Sequence, residues 1–174
     1  PENAVKLERK SGIFIGSLLY GIIPFLCCLM IIYIKWNWMG TRTVYPFLVP
    51  VGIIIGFLLM PIHELLHAVC YRKGQTVYIG ISLEKIAAFA VCHEKISRRR
   101  FIVMSLMPML LGIIPLAVFL IAPSSPIISA ICIPAGIMGM LSPMPDYMDV
   151  HTVLKQVPKG AFIQSQNSGF YWFE

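Results

Sequence analysis

From Ile13 to Ile34 the chain runs for 22 residues without a charged side chain. About 20 consecutive apolar residues make a helix long enough to cross the hydrocarbon core of a bilayer. Within that core only a helix or a closed barrel satisfies its own backbone polar groups. Three further apolar runs follow, at about 47–71, 101–122 and 127–141. Charged residues make up 13% of the chain, against about 25% in an ordinary soluble domain. The expected fold class is an α-helical integral membrane protein with about four transmembrane helices. A length of 174 residues suits one domain, 1–174, closing with an amphipathic and then polar tail at 146–174.

The second run is interrupted by Pro61-Ile62-His63-Glu64-Leu65-Leu66-His67. On a helix, His63 and His67 project from one face about one turn apart, a spacing at which two imidazoles grip one metal ion. Glu64 lies beside the first of them, placed to take a proton from an activated water. Ionisable groups are costly within a membrane span, so three together there point to a site. The chemistry this suggests is zinc-dependent peptide hydrolysis within or beside the membrane. The competing reading is a non-catalytic membrane protein that uses a metal or a polar cluster to brace its helices or bind a partner.

Between the second and third runs the pattern changes. Residues 76–81 and 87–92 are short and partly β-branched or aromatic, which predicts a small β or mixed segment, two strands joined through Ser82–Lys85. A short helix over Leu83–Ala90 fits the same residues nearly as well. Ser142-Pro143-Met144-Pro145 is expected to end the fourth helix. Five cysteines without a C-x-x-C pair read as small buried hydrophobes rather than a disulfide framework. A chain that opens on Pro1 is expected to be preceded by further residues, and its first apolar run is too long for a cleavable signal peptide.

The formal net charge of +6 gathers at the ends of the apolar runs, which favours contact with anionic lipid over nucleic acid. With the N-terminus in the cytoplasm, twelve Lys and Arg lie inside and two outside. The second span then runs inwards, and His63 lies about 24 Å along it from Phe47. In a core about 30 Å thick, this places the motif near the cytoplasmic boundary. Asp146, emerging from the fourth span on the same side, lies at a similar depth.

A catalytic zinc has three protein ligands and one open position. Asp146, Asp149, His93, His151 and Cys70 are candidates for the third. His93 sits in a charged loop and His151 in an amphipathic stretch, where both are expected to face solvent. Asp146 also suits a helix N-cap, and Asp149 the first turn of that helix.

A His-Glu-x-x-His span, two further spans, and an aspartate ending the last resembles the organisation of site-2 proteases. The chain more closely resembles the bacterial membrane family of zincin peptidases designated DUF3267. That likeness rests on the motif helix, Met107-Pro108, Met144-Pro145-Asp146-Tyr147, the segment Leu154 to Ala161, and Gly169-Phe170-Tyr171-Trp172. It covers most of the chain from about Phe47. It implies Zn2+ as cofactor, His63, His67 and Asp146 as metal ligands, Glu64 as catalytic base, and a protein or peptide substrate. It also implies a bacterial cytoplasmic membrane as the location. Site-2 proteases carry a glycine after their aspartate, where this chain has Tyr147.

Overall fold

The computed structural model describes residues 3–8, 13–39, 44–82, 87–166 and 169–174. The chain opens with a two-residue strand, β1 (Val5–Lys6), followed by α1 (Ile13–Met39). After a 3-10 turn at Pro46–Leu48 come α2 (Val49–Leu58) and α3 (Met60–Ala68). Pro61, without an N–H, sits in the first turn of α3, where none is needed. The motif therefore lies on a short helix of its own at the end of the second apolar segment.

A hairpin follows, β2 (Tyr78–Ser82) antiparallel to β3 (Ala87–Val91), then a short strand, β4 (Ile96–Ser97). The expected strands are thus present, and Ala87–Ala90 is strand rather than helix. Residues 83–86 between them, with Arg9, Lys10 and Arg42 from the charge count, lie outside the described residues. The third apolar segment is α4 (Arg98–Leu106), a 3-10 turn at Met107–Met109, and α5 (Leu110–Ile121). The fourth is α6 (Pro126–Leu141) and α7 (Met144–Gln156). Two strands close the chain, β5 (Phe162–Gln166) and β6 (Gly169–Phe173).

Four helical segments are long and apolar enough to cross a membrane: Ile15–Trp38, Pro46–Ala68, Arg98–Ile121 and Pro126–Gln156. Their bounds differ from those read off hydropathy, most in the third and fourth. The third begins on the arginines themselves, because Ser97 caps the helix by accepting from the Arg100 N–H. The fourth resumes at Met144 after a two-residue turn, because Pro145 falls in the first turn of α7, where proline starts a helix rather than ends it.

Inside the bundle, α6 packs against α5 and α2. A Cβ on Gly52 would press into Pro134 and the carbonyls of Ala130 and Ile131, so the absence of a side chain there sets how closely α2 and α6 approach. Apolar side chains such as Ile15, Leu19 and Ile121 point outwards, as lipid contact requires. At the other end of α1, Lys35 is buried and donates to the carbonyls of Phe119 and Ala122 (2.8 Å to Ala122), satisfying the carbonyl end of α5.

The largest core lies at the motif end. Phe101, Met104, Val153, Val157, Ile96 and Ile163 bury together with Leu7 from the N-terminal segment. The tail is therefore part of the folded body. β5 and β6 form a four-stranded sheet in the order β1-β6-β5-β4, packed on α4.

Candidate metal centre

His63 and His67 occupy one face of α3, both buried, with ring centroids 4.9 Å apart. Asp146 comes from the first turn of α7, whose abrupt restart after Pro143 carries the carboxylate towards α3. The Nε2 atoms of the two histidines are 3.2 Å apart. Asp146 Oδ2 lies 3.4 Å from His63 Nε2, and Oδ1 lies 3.4 Å from His67 Nε2.

The outer nitrogen of each ring determines what these inner atoms are. His67 Nδ1 is 3.0 Å from the Met104 carbonyl, which can only accept, so Nδ1 carries the proton and Nε2 keeps its lone pair. Ser142 Oγ donates to the Gly139 carbonyl at 3.2 Å, which commits its one proton and leaves the oxygen to accept from His63 Nδ1, also at 3.2 Å. His63 is then in the same tautomer. Two imidazole lone pairs and a carboxylate converge with no proton between them, an arrangement that a cation stabilises and its absence penalises.

The spacing also fits. Three atoms each about 2.0–2.1 Å from one tetrahedral zinc stand about 3.3–3.4 Å from one another. The donor set, two neutral imidazoles and a carboxylate with hydrogen-bonded outer nitrogens, is one that zinc accepts. Among the described residues this is the one group of three such side chains close enough to share an ion.

Both outer acceptors are made by prolines. In an unbroken helix, residue 108 would donate to the carbonyl of Met104 and residue 143 to that of Gly139. Pro108 and Pro143 have no N–H, and both are fully buried. The Met104 carbonyl takes a tighter bond from the Met107 N–H and still has a lone pair for His67. The Gly139 carbonyl takes Ser142.

Glu64 is half-buried, one residue along from His63, and lines one cavity with Ala90 of β3. That cavity, of about 650 Å³, also contains the His–His–Asp group. Phe89 from β3 and Phe170 from β6 line it together with the buried Phe101 and Met104. Asp149 lines the same cavity but stands outside the three-residue group.

The other candidates go elsewhere. Cys70 Sγ donates to the Leu66 carbonyl at 3.3 Å, and burial pushes its thiol above the ordinary range despite Arg100 nearby, which disfavours the thiolate a metal needs. His93 is exposed and bonds the Ser165 carbonyl at 3.3 Å. His151, expected at the surface, is half-buried against the Tyr20 hydroxyl of α1. Sequence reasoning did not identify Ser142, the Met104 carbonyl, Ala90 or Phe170. Ser142-Pro143 was visible as a helix interruption and Met107-Pro108 only as part of the family likeness; the acceptors they provide were not visible.

No curated protein and no solved structure matches the chain. The family model described as "Putative zincin peptidase" matches residues 56–162, from α2 through the first residue of β5 and including every residue of the His–His–Asp group. That match spans more than half of the chain, which belongs to the DUF3267 family of zincin peptidases.

Proposed function

We propose that this protein is a membrane-embedded zinc metallopeptidase that cuts peptide bonds within or beside the membrane. The observation that carries the reading is the convergence of His63 Nε2, His67 Nε2 and the Asp146 carboxylate beside Glu64 in one cavity at the end of a membrane-length segment. Zinc held by those three residues supplies Lewis acidity, acidifying a water and polarising a carbonyl.

The chain's own residues do the rest. Glu64 accepts a proton from the attacking water and passes it to the departing nitrogen, so that water and peptide become an acid and an amine. Ser142 and the Met104 carbonyl keep the two imidazoles in the ligand tautomer. Among the described residues β3 pairs with β2 along one edge only, and an extended substrate would add along the other. Cleavage that survives removal of β2 and β3, with metal retained, would eliminate that binding mode.

The distribution of Lys and Arg is the argument for an N-terminus and a metal centre facing the cytoplasm, and the family resemblance the argument for a bacterial cytoplasmic membrane. The substrate expected there is a membrane-associated protein or peptide. The deciding experiment compares Glu64→Gln with the parent protein in detergent, measuring zinc per chain and cleavage of membrane-protein substrates. Metal retained with turnover abolished supports the peptidase. Turnover unchanged in Glu64→Gln would refute it and leave a metal-binding structural protein.

A further inference from the structure

A second cavity, of about 630 Å³, lies where α3 ends and α4 begins. Arg72, Lys73, Arg99 and Arg100 line it, and among the described residues no carboxylate does. Two adjoining cavities share these residues: one adds Lys95 together with Glu94, the other Arg98 and Lys159. The rest of the wall is Cys70, Tyr71, Ser97 and two valines, Val69 and Val103, which are 68% and 57% exposed.

The arrangement runs against ordinary helix electrostatics. The N-terminus of a helix is its positive end and favours acidic residues. The first turn of α4 has none, and carries Arg98, Arg99 and Arg100 instead. Arg72 and Lys73 stand across the cavity from that turn and add to the repulsion. An anion in the cavity would relieve it, meeting guanidinium groups suited to bidentate phosphate binding.

Location selects the kind of anion. Ala68 ends one membrane-length segment and Arg98 begins the next, so the cavity lies at the boundary between polar and apolar surroundings. Exposed valines beside a cationic wall offer acyl chains a path that a soluble phosphate has no use for. We propose that this cavity is a binding site for the headgroup of an anionic phospholipid, its phosphate held by Arg72, Lys73, Arg99 and Arg100 and its chains passing Val69 and Val103. The site is separate from the metal centre but adjacent to it: Tyr71 lines both cavities, and Arg100 Nη1 donates to the Cys70 carbonyl at 3.2 Å just beyond α3. The inference does not depend on peptide cleavage.

The test is lipid binding to the delipidated protein in detergent, read by intact-protein mass spectrometry with phosphatidylglycerol, phosphatidylcholine or inorganic phosphate added. Phosphatidylglycerol binds best, and millimolar phosphate displaces it poorly. Arg72→Gln with Arg99→Gln, both exposed positions, weakens phosphatidylglycerol binding roughly thirtyfold, the scale expected for two cations at a membrane surface. Lys6→Gln with Lys155→Gln, also exposed, removes equal charge elsewhere and changes binding by less than about threefold. Lys73→Gln provides a single-site check should the double variant unfold. Equal losses from the two double variants would reduce the site to diffuse charge. Phosphatidylcholine binding as tightly, or phosphate competing as effectively as lipid, would overturn the phospholipid assignment.

Discussion

The helix break at Pro108 and the one at Pro143 do the same job by different routes. At Pro108 the freed acceptor is the Met104 carbonyl, and it meets His67 directly. At Pro143 the freed acceptor is the Gly139 carbonyl, and it meets His63 through the Ser142 hydroxyl. The first arrangement is made of backbone and responds only to changes that alter the helix. The second passes through a side chain that one substitution removes. In both, a residue that reads as damage to a helix becomes the means of orienting a ligand. The Pro143 break adds something its counterpart does not, since the restarted helix brings Asp146 to the same point.

That difference orders the expected effects. Asp146→Ala removes what only the Pro143 break delivers, and zinc per chain after dialysis should fall to background. Asp149→Ala should keep its metal, and a loss equal to that of Asp146→Ala would undo the assignment. Pro108→Ala comes next, because it returns an N–H to the Met104 carbonyl in competition with His67. Zinc affinity should drop about 100-fold, at the upper end for loss of an outer-shell partner. Ser142→Ala severs the hydroxyl route alone and should cost about tenfold, with Ser142→Thr restoring most of it. If Ser142→Ala proves as damaging as Pro108→Ala, the two routes are not distinct. Gly52→Ala, in α2 away from both breaks, should lower the unfolding temperature through about 1–3 kcal/mol of overpacking, yet leave zinc affinity unchanged.

The parts of this site legible in sequence were those with side-chain identity and a fixed period. His63 and His67 announce themselves by helical spacing, and topology places Asp146 at their depth. Backbone carbonyls carry no such mark: Met104 as an acceptor follows only from knowing that Pro108 leaves it free and that α3 packs against that turn. The fourth helix was read to its end at Leu141, but its continuation as α7 in one membrane-length segment was not, because hydropathy falls at Ser142 whereas hydrogen bonding resumes two residues later. The closing hairpin was taken as tail because its alternation is weak. Its stabilising partners, β4 and β1, lie far away in sequence and are two residues long. Pairings of that range leave almost no local signature.

The β1–β6 pairing also bears on how the protein is made. Val5 faces Trp172 and Lys6 faces Tyr171, so residues from opposite ends of the described chain lie side by side. Leu7, next to that strand, belongs to the core that holds Phe101 and Met104 beside the cavity. A ribosome delivers one of these strands before the first helix is threaded into the bilayer and the other only after the last. The β1–β6 pairing, and the part of the core it closes, can therefore form only once both strands and the helices between them have been made. Until then the nascent chain carries the motif helix and Phe89 without Phe170, the aromatic side chain that β6 adds to the cavity wall.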